Sequence, residues 1–120
     1  MRLLFFLFAC HSGGEDSAPE SEAASTDACA GAPIVTWDNF GAGFLNESCD
    51  SCHSSTVTGA ARNDAPEEVS FDTTEEVWSW ADDILRMATG EEPQMPPEGG
   101  PSDDDRVRLF WWLGCGEKGT

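Results

Sequence analysis

The chain has 120 residues, which is room for one small domain rather than two. Its formal net charge is −17, from 23 acidic residues against six basic ones. This balance argues against binding to nucleic acid or to anionic lipid headgroups, because both interactions need basic patches. It favours solubility and electrostatic attraction to a basic partner protein, although a plain solvated acidic surface has the same composition.

The first residues have the features of a targeting segment. Arg2 supplies a positive charge, and residues 3–9 form an unbroken apolar run. That run is too short to span a bilayer, which takes about 20 residues, but it fits the apolar part of a secretory signal. The four residues that end at Cys10, Leu-Phe-Ala-Cys, resemble a bacterial lipobox. We therefore expect a signal peptide over residues 1–9 and a lipid on Cys10; an ordinary signal peptide and a misplaced start codon are the alternatives.

A polar segment follows the lipidation motif. Residues 11–27 hold Ser, Gly, Ala and five acids, with one proline and no Lys, Arg or large apolar residue. Such a stretch cannot bury enough apolar surface to fold, so it predicts a flexible tether over residues 10–28. We expect a folded domain over residues 29–120, exported and held by the lipid on the periplasmic or cell-surface side of a bacterial membrane.

The residues that carry chemistry are Cys49-Asp50-Ser51-Cys52-His53, a C-x-x-C-H pattern typical of haem c attachment. Two thiols at this spacing can reach the two vinyl groups along one edge of the porphyrin. The adjacent His53 can then offer an imidazole nitrogen to the iron. Export agrees with this, because haem attachment takes place outside the cytoplasm. Three alternatives stay open, which are a redox-active disulfide, a structural zinc site and a structural disulfide beside a chance histidine.

Met95 is the best candidate for the sixth ligand of the iron. His53 is the only histidine outside the tether, so the domain has no second imidazole to offer. Met95 lies between prolines, which exclude a helix and make a stiff loop that can present one side chain to a fixed point. A thioether suits low-spin iron in an electron carrier. The alternative is a loop methionine that fills a gap in the core; Met87 is less suitable as a ligand because it falls inside a predicted helix.

Two cysteines remain after the lipid and the haem are assigned. Cys29 and Cys115 lie one at each end of the folded region. They can close a disulfide that ties the two ends together, although the four cysteines beyond Cys10 allow three pairings.

Three helices and no strand are predicted, so the fold class is all-α. The first helix covers residues 38–49, with Phe40 and Phe44 at helical spacing and with Gly41 and Gly43 permitting close approach of another helix.

The second helix covers residues 74–89, where Thr73 to Glu76 form a capping box and an apolar stripe follows. The third covers residues 103–113 and begins after Ser102. In this last helix four residues lie close to one face: Val107, Phe110, Trp111 and Gly114. Trp112 points elsewhere, either over the haem or half exposed.

The C-x-x-C-H after an aromatic helix, the Pro-flanked Met95 and the C-terminal aromatic helix together resemble the cytochrome c family, over residues 37–116. The resemblance implies a small bundle of about three helices around one covalent haem. It also implies a contact between the first and last helices, here Phe40 and Phe44 against Phe110 and Trp111. The chain departs from typical members in having one Lys and no Tyr, so a partner's identity is not carried over.

The resemblance also implies a support for the proximal ligand. The carbonyl of Pro66 is placed to accept the imidazole N–H of His53, which would fix the ring and raise its basicity.

The function expected from these features is electron transfer by a non-enzymatic haem protein, with a redox partner that carries a basic docking face. The domain has no second histidine for general acid or base work. Two other functions remain open. A haem peroxidase or gas sensor would result if Met95 is not a ligand, and a non-haem surface lipoprotein stabilised by disulfides would result if no haem is attached.

Overall fold

The structure, a computed structural model, describes residues 27–120. Within this range the chain forms helices, turns and loops and contains no strand, which confirms the all-α class. The predicted signal peptide, the lipidated Cys10 and all but the end of the predicted tether lie outside the described residues.

The first predicted helix is confirmed, with a wider turn at its start. A π-helical turn, Trp37–Gly41, leads directly into helix α1, Ala42–Ser48. Thr36 and Asn39 cap the turn, since each side chain accepts a hydrogen bond from the other residue's backbone N–H. The chain then breaks at Cys49, where φ is −125°, and resumes as the short helix α2, Asp50–His53. A 3₁₀ turn, Gly59–Arg62, interrupts the loop that follows.

The second predicted helix forms as two shorter ones. Helix α3, Thr74–Ser79, begins with the predicted capping box, in which Thr73 and Glu76 exchange hydrogen bonds of 3.0 and 3.2 Å. Trp80 has a non-helical backbone (φ −108°, ψ 10°), and helix α4, Ala81–Ala88, follows it. The predicted apolar stripe runs across this break, so the two helices bury one continuous face.

The third predicted helix is confirmed as α5, Asp103–Phe110, with a π-helical turn, Trp111–Cys115, at its end. The Ser102 side chain accepts a hydrogen bond from the backbone N–H of Asp105 at 3.1 Å, so Ser102 is the N-cap, as predicted.

Trp112 occupies the centre of the core, which corrects the predicted buried face of this helix. Its side chain is 0% exposed, and the residues buried with it on α5 and the following turn are Leu109 and Leu113. Val107, on the face that sequence spacing suggested, is exposed. The contact with the first helix is likewise made by Trp112, whose indole packs edge-on against Phe40 with ring centroids 6.5 Å apart. Phe110 and Trp111 were therefore the wrong partners for Phe40.

Gly41 is what allows this indole to lie against the first helix. A Cβ built on Gly41 would lie 2.3 Å from the nearest atom of the Trp112 ring, closer than any side chain tolerates. The predicted close approach is thus confirmed at Gly41. It is not found at Gly43, which has open space where its Cβ would be.

We expect Gly41→Ala to lower the free energy of unfolding by about 1–3 kcal/mol, because an added methyl group overlaps a fully buried ring. Chemical denaturation followed by far-UV circular dichroism measures this. Trp112→Phe removes the part of the ring that overlaps, so the double variant Gly41→Ala/Trp112→Phe should lose less stability than the two single losses added together. Simple additivity in this double-mutant cycle would contradict the proposed overlap.

Cys29 and Cys115 form a disulfide, which confirms their predicted pairing. The bond closes a sequence separation of 86 residues. Close to it, the backbone N–H of Trp37 donates to the carbonyl of Thr120 at 2.7 Å. The start and end of the folded region are therefore held together by one covalent and one hydrogen bond.

Candidate functional site

The predicted site residues of the domain meet on the wall of one cavity of about 1250 Å³. Cys49, Cys52, His53 and Met95 all line it, as does Pro66. Its wall also includes aromatic and aliphatic side chains from the first helix, from the loop after α2 and from α4 with the break before it: Phe40, Phe44, Val69, Phe71, Trp80 and Ile84. Ligand pockets commonly measure about 300–1,000 Å³, so this cavity suits a large, mainly apolar ligand.

Helix α2 positions the thiols and the imidazole together. The backbone N–H groups of Cys52 and His53 both donate to the carbonyl of Cys49, at 3.1 and 2.9 Å, which closes a single turn. Cys49 and Cys52 are separate, half-buried thiols rather than a disulfide. A single helical turn therefore presents both thiols and the imidazole to the same cavity.

His53 is held in one orientation and one tautomer. Its Nδ1 lies 3.0 Å from the carbonyl oxygen of Val69, and because a carbonyl can only accept, Nδ1 carries the proton. Phe71 stacks on the ring with centroids 4.7 Å apart, and its N–H donates to the carbonyl of His53 at 2.8 Å. In the neutral ring this arrangement leaves the lone pair on Nε2, the nitrogen that a metal would then bind.

The carbonyl that supports His53 belongs to Val69, which corrects the expectation that Pro66 supplies it. The carbonyl of Pro66 accepts a hydrogen bond from Arg62 Nη2 at 2.8 Å instead. The two carbonyls are only three residues apart in a loop without helical periodicity, so sequence position could not select between them.

A further pair of hydrogen bonds closes the loop that follows His53. Asp72 accepts hydrogen bonds from the Ser54 hydroxyl at 2.7 Å and from the Ser55 backbone N–H at 2.8 Å. These bonds hold the pKa of Asp72 below its usual range, and the charge of Arg62 acts in the same direction. These two hydrogen bonds join the residues that follow His53 to the residue that follows Phe71.

We expect Asp72→Asn to lower the free energy of unfolding at neutral pH by up to about 1 kcal/mol, since the carboxylate is exposed and its bonds are screened. A depressed folded-state pKa adds stability above the unfolded value of about 4, and this is lost as pH falls through the folded value. The difference between wild type and variant, measured by denaturation from pH 7 to pH 2, should therefore shrink below about pH 4. Glu68→Gln, at an exposed acid of the same loop, is the control; a difference that persists in acid would contradict this account.

The Met95 loop is fixed from two sides. The backbone N–H of Met95 donates to the carbonyl of Met87 at 2.9 Å. Arg106 Nη1 on α5 donates to the carbonyls of Met95 and Ala88, at 2.9 and 2.7 Å. Arg106 thus joins the end of α4, the Met95 loop and α5.

Met87 also lines the cavity, although its helical position had argued against a role as ligand. Its sulfur accepts a hydrogen bond from Arg86 Nη1 at 3.6 Å, whereas the sulfur of Met95 has no such donor among the described residues. The cavity therefore has two thioethers on its wall, and the proline-rich loop provides the one whose lone pairs are not engaged in this way.

Burial raises the pKa of Cys49 to about 12, and the neighbouring Asp50 carboxylate adds to the rise while Arg106 opposes it. A redox-active or nucleophilic cysteine needs a lowered pKa, because the thiolate is the reactive form. The environment of Cys49 therefore disfavours a thiol–disulfide exchange site, one of the alternatives left open by the sequence.

The structural zinc alternative also finds no support in residues 27–120. No group of three or more His, Cys, Asp or Glu side chains in that range is placed to hold a metal ion. Cys29 and Cys115, which a zinc site would have needed, are bonded to each other. A metal centre at His53 would thus need a ligand set that this part of the chain does not provide on its own.

The chain matches no protein-family model, no curated protein and no solved structure. The assignment of the site therefore depends on its own geometry. In the described part of the chain, no helix is both long enough and apolar enough to cross a membrane.

Sequence reasoning missed three residues that shape the site: Arg62, Val69 and Arg106. Each acts through a backbone carbonyl in a loop, at positions where the sequence has no periodicity. The one available signal was the rarity of positive charge, since a chain with six basic residues places three of them, Arg62, Arg86 and Arg106, at or beside this cavity.

Proposed function

We propose that the chain is a c-type cytochrome domain that transfers electrons and is tethered to a bacterial membrane through a lipid on Cys10. One observation carries the proposal. The two thiols of the C-x-x-C-H motif, the imidazole of His53 and the thioether of Met95 line one large cavity. The hydrogen bond between His53 Nδ1 and the Val69 carbonyl supports the proposal, because it leaves Nε2 as the ring nitrogen available to a metal.

The residues present fit a haem c group. Cys49 and Cys52 would hold the porphyrin covalently, and His53 through Nε2 and Met95 through its sulfur would be the side chains that bind the iron. Bound haem supplies a one-electron couple at its iron. A porphyrin supplies most of its iron's ligands itself, so this cofactor does not require a cluster of three protein ligands, and residues 27–120 contain none of the His, Cys, Asp and Glu type.

The chain's own contribution is to hold the ligands and keep water out. The Val69 carbonyl fixes the imidazole and makes it a better donor to the metal. Arg106 fixes the Met95 loop. Apolar side chains form much of the cavity wall, which would lower the local dielectric and favour the less charged, reduced form of the iron.

The direct test is haem staining after denaturing electrophoresis. The exported protein is produced in a host that matures c-type cytochromes, and we expect a stained band because thioether-linked haem survives denaturation. Cys49→Ala/Cys52→Ala should abolish the stain, whereas Cys29→Ser/Cys115→Ser should keep it. A colourless protein in which Cys49 and Cys52 are oxidised to each other would refute the proposal and would favour a non-haem lipoprotein with two disulfides.

The redox partner in this proposal carries a basic docking face. Four acidic side chains line the cavity: Glu47, Asp83, Glu98 and Asp105. Of the two arginines there, Arg86 pairs with Asp83 and Arg62 is buried, so neither offsets the remaining acids at the surface. A negative rim attracts a positive partner and raises its rate of association.

We expect the rate of oxidation by a cationic cobalt complex to fall as salt is added, and the rate with anionic hexacyanoferrate to rise, because salt screens attraction in one case and repulsion in the other. Stopped-flow absorbance at the haem bands measures both rates. Glu47→Gln/Glu98→Gln should weaken both salt dependences more than Glu75→Gln/Glu117→Gln, which removes the same charge at two residues that do not line the cavity. Equal effects of the two changes would show that overall charge, and not the rim, governs the rates.

A further inference from the structure

Arg62 is the most deeply buried charged side chain of the described residues, at 2% exposure. A guanidinium has five N–H donors, and all five are used here on backbone carbonyls. The acceptors are Ala65, Ser54, Val57, Pro66 and Val69, at distances from 2.8 to 3.2 Å. None of them is a carboxylate. Arginine is almost never buried to this extent without an ionic partner, so the site holds a positive charge that hydrogen bonds satisfy but do not neutralise.

One of these acceptors also supports the proximal histidine. The carbonyl oxygen of Val69 accepts from Arg62 Nη2 at 2.8 Å and from His53 Nδ1 at 3.0 Å. Two donors on one oxygen compete for its electron density, and the charged donor draws more of it. The carbonyl is therefore a weaker acceptor for the imidazole N–H than it would be without Arg62.

We propose that Arg62 is a positioning residue that limits electron donation by the His53 imidazole through the shared Val69 carbonyl, and so raises the reduction potential of the iron. The inference depends on the proposed function, because it needs a metal at Nε2. A strong N–H hydrogen bond gives an imidazole partial imidazolate character and makes it a better donor to oxidised iron. Sharing the carbonyl reduces that effect.

The buried charge of Arg62 acts in the same direction. Oxidation adds one positive charge to the haem, and a buried cation two hydrogen bonds from the proximal ring opposes it. The carboxylate of Asp72, which interacts with the charge of Arg62, offsets part of this repulsion. The Arg62 side chain lines the same cavity as His53, with no bulk water around the guanidinium to screen this repulsion.

The test compares Arg62→Gln and Arg62→Lys with Arg86→Gln in the haem-loaded protein. Arg86 also lines the cavity and its removal changes the charge equally, but its side chain is 67% exposed and it makes no bond near His53. In a redox titration we expect Arg62→Gln to lower the ratio of reduced to oxidised haem at a fixed potential about tenfold, which is about 59 mV for one electron. Arg62→Lys, which keeps the charge, should give a smaller shift, and Arg86→Gln the smallest.

A second readout reports on the imidazole itself. In the Met95→Ala background the reduced iron has five ligands, and the iron–histidine stretching frequency rises as the imidazole N–H bond strengthens. We expect Arg62→Gln to raise this frequency, which a residue that only stabilises the loop would not do. An unchanged frequency together with an unchanged potential would overturn the inference while leaving the haem assignment intact.

The measurement does not depend on the variants folding. If neither Arg62 variant retains haem, the frequency is read in Met95→Ala with Arg62 present and compared with model haems bound to neutral imidazole and to imidazolate. A value near neutral imidazole supports the inference, and a value near imidazolate overturns it. Failure of the wild-type protein to stain for haem would instead refute the proposed function.

Discussion

Removal of the Cys29–Cys115 disulfide should lower the free energy of unfolding by about 3–5 kcal/mol. The bond closes a sequence separation of 86 residues, so its loss restores a large conformational freedom to the unfolded chain. For a domain of this size such a loss is a large part of the total stability. Guanidinium denaturation of Cys29→Ser/Cys115→Ser, followed by far-UV circular dichroism, measures the change.

The wild-type protein after selective reduction and alkylation of this bond provides the matched comparison, because it lacks the cross-link while keeping the native sequence. Both forms should show the same lower midpoint. An unchanged midpoint in both would mean that the bond contributes no stability. A loss in the serine variant alone would mean that Cys29 and Cys115 act through packing and not through the cross-link.

If the proposed haem is bound, Met95→Ala should remove one ligand of its iron and lower the reduction potential by an amount on the order of 0.1 V, within the span of about 0.8 V that such ligands cover. A thioether ligand stabilises reduced iron, so its loss favours the oxidised form. We also expect the far-red absorption band of ferric Met-ligated haem to disappear, and the reduced protein to bind carbon monoxide. Absorption spectroscopy and redox titration measure these changes.

Met87→Leu is the control for this prediction. Met87 lines the same cavity, but its sulfur accepts a hydrogen bond from Arg86. The substitution keeps a similar volume and should leave the far-red band and the potential unchanged. If Met87→Leu removes the band and Met95→Ala does not, Met87 is the ligand. If the wild type has no such band and binds carbon monoxide, the haem has an open face, as in a peroxidase or gas sensor.

Structural features that depend only on residues close together in the sequence could be predicted. Both N-caps, at Thr73 and Ser102, formed as expected, because a cap is decided by a side chain and a backbone N–H within one turn. The convergence of Cys49, Cys52 and His53 is local in the same way. The convergence of Met95 on the same cavity is long-range, and it was predicted only because the chemistry of a haem ligand needs it.

The buried face of α5 could not be predicted, because the end of this helix has two apolar stripes. Val107, Phe110 and Trp111 satisfy helical spacing, and so do Leu109, Trp112 and Leu113. What decides between them is the space above Gly41, which accepts the indole of Trp112 and lies far away in the sequence. The break at Trp80 was hidden for a related reason, since the apolar stripe continues across it.

The sequence correctly predicted that a backbone carbonyl supports the imidazole of His53, but the carbonyl was assigned to the wrong residue. A backbone carbonyl does accept from Nδ1, yet it belongs to Val69 and not to Pro66, although Arg62 donates to both carbonyls. No rule based on residue type predicts which carbonyl a buried guanidinium will reach. That choice depends on how the loop closes.

The meeting of Cys29 and Cys115 has a consequence for how this domain can be used. Their Cα atoms lie 5.5 Å apart, so the chain enters and leaves the folded unit at almost the same point. A unit with coincident ends can be inserted into a surface turn of another protein without forcing the host's two strands apart. Under the proposed function, residues 29–115 would therefore be a unit that can be inserted into a chosen scaffold to give it a redox centre.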